Sequence, residues 1–169
     1  DPAAAASLAW LPLGLPWQGA HFRLDALSAV FACIAGTGGA AASLFALGYG
    51  RHEAAPERVL PFYPLFLAGM NLVLLADDAF AFLLSWEFMS LASWALVMSH
   101  HADRDNAGAG YVYLVMAGFS TFALLLAFGL LAAGGDYTFD AMRATAHAPK
   151  MAALALVLAL IGAGSKAGL

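Results

Sequence analysis

Long apolar stretches separated by short clusters of charged and polar residues divide the chain. Five of these stretches are long enough to cross the roughly 30 Å hydrocarbon core of a bilayer as helices. They cover residues 24–50, 60–76, 79–99, 107–133 and 151–169. The pattern therefore predicts an all-α fold, a polytopic transmembrane helix bundle with about five spans.

The connections between the spans differ in length and character. Asp77 and Asp78 alone separate the second span from the third, and we expect both carboxylates at a hydrated membrane interface. The connection at 134–150 is longer, and it predicts one short interfacial helical turn over residues 139–146. In the first span Ala35, Gly39 and Ser43 lie four residues apart, a stripe typical of close helix packing in membranes.

Residues 1–23 precede the first span and form a segment of different composition. They contain three prolines and two tryptophans, Pro2, Pro12, Pro16, Trp10 and Trp17. Because Trp is common at the level of the lipid headgroups, this segment is predicted to lie at the interface. The chain starts at Asp1 and stops inside an apolar stretch, so we expect a longer sequence truncated at both ends.

Composition excludes several classes of protein. Hydrophobic residues make up 63% of the 169 residues and charged residues 11%, whereas soluble domains carry roughly 25% charged residues. The net charge of −4 offers no basic surface for nucleic acid. Cys33 is a single cysteine and cannot form an internal disulfide. The loops on the two sides hold three Lys or Arg residues each, so charge does not decide the orientation.

Glu87 is the charged residue placed deepest in a predicted span. It lies about 12 Å into the third span, where a carboxylate costs at least about 2.5 kcal/mol. It should therefore face protein or water and have a partner. Ser90 is the neighbour on its helix face that can donate a hydrogen bond, so another helix must supply the rest. A protonated glutamic acid with a packing role is the alternative interpretation.

Lys166 is the candidate partner for Glu87. It lies about 22 Å into the last span, between Gly162, Gly164 and Gly168. This density of glycine favours an unwound stretch that lines a cavity, as in transporters that hold ions at mid-depth. A lysine that reaches the interface from a helix end is the alternative.

The histidines all lie in loops, and they argue against a membrane haem, because no span offers an axial ligand. They are His21, His52, His100, His101 and His147. His100 and His101 end the third span, where a cation suits the helix dipole, and they are accessory candidates for proton uptake. Asp25 similarly suits the start of the first span.

Three runs of residues carry a resemblance to a known family. They are LDALSAVF at 24–31, FYPLFLAGMNLVLLADDAFAFLLSWEFMSLASWALV at 62–97 and GAGSKAGL at 162–169. The sequence resembles the antiporter-like proton-channel family, the large membrane subunits of respiratory complex I, of Mrp-type antiporters and of membrane-bound hydrogenases. The run WEFMSLASWALV is most similar to the hydrogenase branch, that of hydrogenase-4 component B and its formate hydrogenlyase equivalent.

The resemblance implies a specific architecture. The family core contains two inverted repeats of five helices, and the five spans here would be the third to seventh helices. Glu87 matches the family's essential glutamate of the fifth helix. Lys166 matches the essential lysine of the discontinuous seventh helix. The loops at 50–58 and 100–106 would be cytoplasmic.

The resemblance also implies a function. The parent protein would move protons across the bacterial inner membrane, driven by electron transfer in other subunits of a hydrogenase or complex I-like assembly. Glu87 would stabilise the charged form of Lys166, and loosening of the pair would release the proton. The chain itself would be no enzyme and would bind no flavin, iron–sulfur cluster, nickel or other cofactor. Its expected partners are other membrane subunits, the lipid bilayer and the transported protons.

Two other functions remain open at this point. A cation/proton antiporter subunit would use the same glutamate and lysine without a redox partner, and sodium would then be the counter-ion. A structural membrane subunit would use Glu87 for packing and would have no transport role.

Overall fold

The computed structural model describes residues 7–12, 14, 19–50, 52–53, 56–100 and 102–168. Six α-helices dominate these residues. They are α1 (Ala26–Tyr49), α2 (Phe62–Leu75), α3 (Ala79–Val97), α4 (Arg104–Ala132), α5 (Phe139–Ala144) and α6 (Pro149–Ala167). One short 3-10 helix, Pro56–Arg58, precedes α2, and a second, Met98–His100, follows α3.

Five of the helices are long and apolar enough to cross a membrane: α1, α2 with its preceding 3-10 turn, α3, α4 and α6. Large apolar side chains are exposed along much of α1, α4 and α6, an arrangement that lipid tolerates and water does not. The predicted helix bundle with five spans is confirmed, and the chain is a multi-pass membrane protein.

Aspartate side chains begin three of the long helices, with Asp25 before α1, Asp78 before α3 and Asp103 before α4. The Asp25 carboxylate accepts from the Ser28 N–H at 2.9 Å, and the Ser28 hydroxyl accepts from the Asp25 N–H at 2.8 Å. Asp103 accepts from the backbone N–H of Asp105 at 3.0 Å, so α4 begins at Arg104 rather than at the predicted residue 107. These contacts satisfy N–H groups that the first turn of a helix leaves unpaired.

Small residues allow neighbouring helices to approach closely. A Cβ atom added at Gly69 of α2 would lie 2.8 Å from the Met89 Cα atom of α3. Between α1 and α2, the Tyr63 hydroxyl donates to the Gly39 carbonyl oxygen at 3.0 Å and lies 3.4 Å from the Ser43 hydroxyl. The small-residue stripe of α1 therefore contacts α2.

A pair of antiparallel strands precedes α1, and the sequence did not predict it. Strand β1 (Ser7–Leu11) pairs with β2 (Ala20–Leu24), with Ser7 opposite Leu24. The intervening residues Leu13 and 15–18, and with them the predicted interfacial Trp17, lie outside the described residues. Pro12 directly follows β1 and Pro16 lies four residues before β2, and prolines so close to short segments weaken the strand signal in a sequence.

At one end of the bundle, backbone hydrogen bonds join β2 to residues 76–79, and these in turn to residues 137–139. The Asp77 N–H donates to the His21 carbonyl oxygen at 2.9 Å, the Ala79 N–H to that of Tyr137 at 3.0 Å, and the Phe139 N–H to that of Asp77 at 3.1 Å. We call residues 20–24, 76–79 and 137–139 the end layer. Helix α5 follows it directly and lies within the segment predicted to be a helical turn.

Helix α6 is regular through Gly162 and Gly164, where the glycine density predicted an unwound stretch. The departure from helical geometry comes at Gly168, which adopts a left-handed conformation with φ of +82°. Its N–H donates to the Gly164 carbonyl oxygen. Packing against α4 keeps the glycines helical, because their lack of side chains lets the two backbones come close.

Candidate functional site

Glu87 lies near the middle of α3, and its side chain is partly buried. Asp78 caps the helix, and nine residues, or about 13 Å, separate this cap from Glu87. The Thr121 hydroxyl of α4 donates a hydrogen bond to the Glu87 carboxylate oxygen Oε1. The second helix that the sequence required is therefore α4, and the donor is a neutral threonine.

A cavity of about 520 Å³ borders the Glu87 carboxylate between α3 and α4. Its walls are mostly apolar, and they extend from Glu87 to the end layer. The lining residues are Ala79, Phe80, Leu83, Leu84, Glu87, Thr121, Leu125, Phe128 and Tyr137. Glu87 thus lies at the polar end of an otherwise apolar space.

Lys166 projects from the last turn of α6 into the bundle. Its Nζ atom donates to the Ser90 hydroxyl at 2.5 Å and to the Tyr113 hydroxyl at 2.9 Å. The same atom lies 5.0 Å from the centroid of the Tyr113 ring and 5.8 Å from that of Trp86. Both ring distances are within the range of cation–π attraction. Helices α3 and α4 therefore hold the ammonium group together.

Glu87 and Lys166 do not form the direct ion pair that the sequence predicted. Within the described part of the chain, no carboxylate oxygen lies within 4.0 Å of Lys166 Nζ. Ser90 follows Glu87 by three residues, so the two lie on neighbouring positions of one helix face, about 4.5 Å apart along the axis. The lysine is bound to a residue about one turn away from the glutamate, and two hydroxyl oxygens accept its hydrogen bonds.

Close packing of α4 against α6 positions Lys166. The buried Ser120 hydroxyl donates to the Gly162 carbonyl oxygen at 2.7 Å. A Cβ atom added at Gly162 would lie 2.8 Å from Leu124 Cγ and 3.0 Å from the Ser120 carbonyl oxygen. Since Gly162 precedes Lys166 by about one helical turn, this contact fixes the height of the lysine relative to Tyr113.

The accessory candidates have different outcomes. Ser90 contacts Lys166, and its hydroxyl also donates to the Trp86 carbonyl oxygen at 2.7 Å. His100 ends the 3-10 helix after α3, and His101 lies outside the described residues. Among the residues that the structure describes, no group of three or more His, Cys, Asp or Glu residues could hold a metal ion.

Sequence reasoning missed Thr121 and Tyr113, the polar partners that α4 supplies. Both belong to a span without charge, in which Tyr111, Tyr113, Ser120 and Thr121 are the hydroxyl-bearing residues. Such residues are the available signal, but a sequence does not say which of them face α3 and α6. The exposed Tyr111 illustrates this, because it is only two residues from Tyr113 and points away from the bundle.

Charged residues also gather in the end layer and beside it. Arg23 lies 2.8 Å from the Asp77 carboxylate and 3.2 Å from that of Asp140, which also binds Arg143 at 2.7 Å. Burial raises the pKa of Asp77 above its usual value, and the Arg23 guanidinium opposes that rise. The sequence placed both carboxylates of the turn at residues 77–78 in a hydrated interface. That expectation is wrong for the neighbour of Asp77.

That neighbour is Asp78, whose side chain is 0% exposed. One carboxylate oxygen accepts from the Ala81 N–H at 2.7 Å, and the other accepts from the His21 N–H at 2.6 Å. His21 Nδ1 lies 3.3 Å from the second oxygen. Asp78 thus caps α3 and joins it to β2. These contacts allow full burial of a carboxylate that the sequence placed in water.

At the start of α1, the backbone N–H of Ser28 lowers the pKa of Asp25 below its usual value. The hydrogen bond favours the ionised carboxylate, because a carboxylate without its proton is the better acceptor. Asp25 is therefore a structural cap, in line with the predicted role at the start of the first span.

Comparisons with known proteins agree with this geometry. A protein-family model described as NADH:quinone oxidoreductase/Mrp antiporter, TM, matches residues 76–169. An uncharacterized protein of Mycobacterium tuberculosis is 37% identical over 169 residues, covering 99% of this chain and 26% of that protein. Hydrogenase-4 component B of Escherichia coli is 32% identical over 150 residues, covering 87% of this chain and 22% of that protein.

The fold matches a solved structure. A chain of the Mrp complex from Dietzia sp. DQ12-45-1b superposes with a TM-score of 0.76 at 25% identity, covering 95% of this chain and 30% of that chain. The chain thus spans about a quarter of the length of the curated relatives it matches.

Proposed function

Because the chain belongs to the NADH:quinone oxidoreductase/Mrp antiporter family of membrane proteins, we propose that it forms part of a proton-translocating subunit of a redox-driven complex. The 32% identity to hydrogenase-4 component B favours the hydrogenase branch. The complex would lie in the bacterial inner membrane. Electron transfer would take place in other subunits, and this chain would supply part of the proton path and no redox centre.

The observation that carries the proposal is the position of Lys166. A part-buried ammonium group held between helices by two neutral hydroxyl oxygens costs free energy that a purely structural role does not require. Ionisable side chains in membrane spans usually mark ion pathways. Ser90, which binds the lysine, follows Glu87 by three residues, about 4.5 Å along the axis of α3.

The proposed mechanism uses two positions of Lys166. Bound to Ser90 and Tyr113, the lysine has no carboxylate oxygen of the described residues within 4.0 Å of its Nζ atom. A shift toward Glu87 would add a Coulomb attraction of about 4 kcal/mol at 4 Å and an effective dielectric constant near 20, which favours the proton on the lysine. Movement away from Glu87 would remove that attraction and release the proton to the next group in the path.

The test uses the full-length protein in its assembled complex, in inverted vesicles supplied with the electron donor. Glu87→Gln and Lys166→Met should each lower the rate of vesicle acidification by at least about tenfold, about 1.4 kcal/mol in the barrier. Glu57→Gln, in the exposed 3-10 helix before α2, and Lys150→Met, at the exposed start of α6, are the matched controls and should pump normally.

Two results would contradict this function. Normal acidification by both Glu87→Gln and Lys166→Met, with normal amounts of complex on a native gel, would exclude these residues from the path. Loss of assembly in Glu87→Gln would support the structural alternative instead, because the substitution keeps the size and most of the hydrogen-bonding capacity of the side chain.

A second candidate is cation/proton antiport, favoured by the match to a chain of the Mrp complex. An antiporter needs no electron donor, since an imposed cation gradient drives the proton flux. Sodium added outside inverted vesicles that contain the complex should then enter in exchange for protons and make the lumen more alkaline in the absence of any donor. Proton movement that requires the donor and ignores sodium would favour the redox-driven function.

A further inference from the structure

Tyr113 is the residue near Lys166 that sequence reasoning did not find, and its contacts are specific. We propose that Tyr113, together with Ser90, is a positioning residue that keeps the charged Lys166 side chain apart from Glu87 between transport steps. This inference rests on the proposed function, because it concerns the same lysine. It adds a neutral binding site for the ammonium group.

Tyr113 contacts the ammonium group in two ways. Its hydroxyl oxygen accepts a hydrogen bond from Lys166 Nζ at 2.9 Å, and the centroid of its ring lies 5.0 Å from the same atom. Hydroxyl oxygen and ring face are both electron-rich, so both stabilise a cation. Ser90 supplies the second hydroxyl oxygen at 2.5 Å, from the opposite helix α3. The ammonium group therefore has acceptors on two helices without any net negative charge.

The Glu87 carboxylate has its own partner at the same time. Thr121 donates to it from α4, eight residues and about 12 Å along the helix from Tyr113. One helix thus binds both ionisable groups at two different heights, Lys166 through Tyr113 and Glu87 through Thr121. A direct ion pair requires Lys166 to give up its two hydroxyl partners. The neutral contacts therefore compete with the ion pair for the lysine.

This competition matters for proton release. A lysine paired permanently with a carboxylate in a low-dielectric bundle holds its proton tightly, because the charged form gains the full Coulomb attraction. Tyr113 and Ser90 provide a charged state of lower proton affinity. Without one of them, Lys166 spends more time beside Glu87 and gives up its proton less readily.

Among the side chains that the structure describes on α3, α4 and α6, few charged or titratable groups lie near this site. Helix α3 contributes Glu87, and helix α4 contributes Tyr113 itself. The described charged residues of α4, Arg104 and Asp105, lie at its start, at least eight residues from Tyr113. Lys150, the other charged residue of α6, lies at the opposite end of that helix. The pH dependence of pumping should therefore report on Lys166 and Glu87.

The experiment compares Tyr113→Phe with Tyr111→Phe in the full-length protein, assembled in its complex in inverted vesicles. The control makes the same change on the same helix, at a side chain that is 71% exposed. Tyr113→Phe should slow acidification several-fold per assembled complex. It should also move the alkaline limb of the rate–pH profile upward by about half a pH unit, a roughly threefold tighter hold on the proton. Tyr111→Phe should leave both unchanged.

Ser90→Ala provides a second variant if Tyr113→Phe assembles poorly, and it should shift the alkaline limb in the same direction. A profile of Tyr113→Phe that coincides with that of Tyr111→Phe would overturn the inference, as would a shift of the limb to lower pH. Lys166→Met distinguishes failure of the proposed function from failure of the role of Tyr113. Normal pumping by that variant rejects the proposed function, whereas loss of pumping combined with a silent Tyr113→Phe rejects the role of Tyr113 alone.

Discussion

Glu87 and Lys166 differ from the charged side chains at the end of the bundle in the kind of partner they bind. Thr121 donates to Glu87, and Ser90 and Tyr113 accept from Lys166, so each of the two charges has neutral partners. At the end layer Arg23 binds carboxylates directly. Neutral partners stabilise an ion without fixing its charge state as firmly as an opposite charge does.

Asp78 provides a prediction that separates stability from transport. Asp78→Ala removes the acceptor for the Ala81 and His21 N–H groups, and it should lower the free energy of unfolding by about 2 kcal/mol. Asp78→Asn keeps one acceptor oxygen and should cost about half as much. Titration of the full-length protein with SDS measures both losses. Acidification per assembled complex should stay near normal in both variants, unlike that of Glu87→Gln.

A strong loss of pumping per complex in Asp78→Asn would contradict this assignment. It would mean that the buried carboxylate takes part in proton movement and does not only cap α3. The comparison is sharp because Glu87 and Asp78 are on the same helix and receive the same substitution of carboxylate by amide.

At the scale of helices, length and location could be predicted from the sequence, because loops collect the charges and lipid excludes them. The rotation of each helix could not. In α4 the polar side chains Tyr111, Tyr113, Ser120 and Thr121 stand in an unbroken apolar span. An apolar span carries no polar face to indicate its orientation. Only the packing of α4 against α3 and α6 shows that Tyr113 faces the bundle and that Tyr111 is exposed.

The strand pair and the regularity of α6 escaped prediction for related reasons. Strand β2 gains its partners from residues far away in sequence, such as the turn at Asp77, and no local pattern records them. The glycines of α6 indicated weak helix propensity, which in a membrane is outweighed by the close contact that they permit. Glu87 and Lys166 could be found, since a charge in an apolar span is visible in the sequence. Their hydroxyl partners could not.

Gly162 allows a prediction about the α4–α6 contact. Gly162→Ala places a Cβ atom 3.0 Å from the Ser120 carbonyl oxygen, which cannot move without moving α4. We expect a loss of about 1–3 kcal/mol in the free energy of unfolding, and slower pumping because Lys166 shifts relative to Tyr113. Gly118→Ala on α4, where a Cβ atom meets nothing within 4 Å, is the control. Equal stability of the two variants would show that α4 and α6 pack less closely at Gly162 than these distances indicate.

For the molecule as a whole, Arg23 connects segments that are distant in sequence. Its guanidinium contacts Asp77 between α2 and α3, Asp140 of α5 and Asp25 at the start of α1, at 2.8, 3.2 and 3.8 Å. One guanidinium group is therefore shared by three carboxylates in the end layer and beside it. At this end of the bundle, the start of α3, the helix of Glu87, is hydrogen-bonded to residues 137–139, which follow α4.

Arg23→Met should destabilise the protein in a pH-dependent way. Burial already raises the pKa of Asp77, and loss of the guanidinium raises it further. The folded protein then binds its proton up to a higher pH than the unfolded chain, whose aspartate titrates near 3.8. The free energy of unfolding must therefore fall as the pH rises from that value through the raised pKa. SDS titrations near pH 4 and near pH 8 measure the difference.

Asp77→Asn added to Arg23→Met removes the titrating group, so the double variant should recover stability near pH 8 and lose the pH dependence. A double variant as unstable as Arg23→Met would instead assign the loss to the contacts with Asp140 and Asp25.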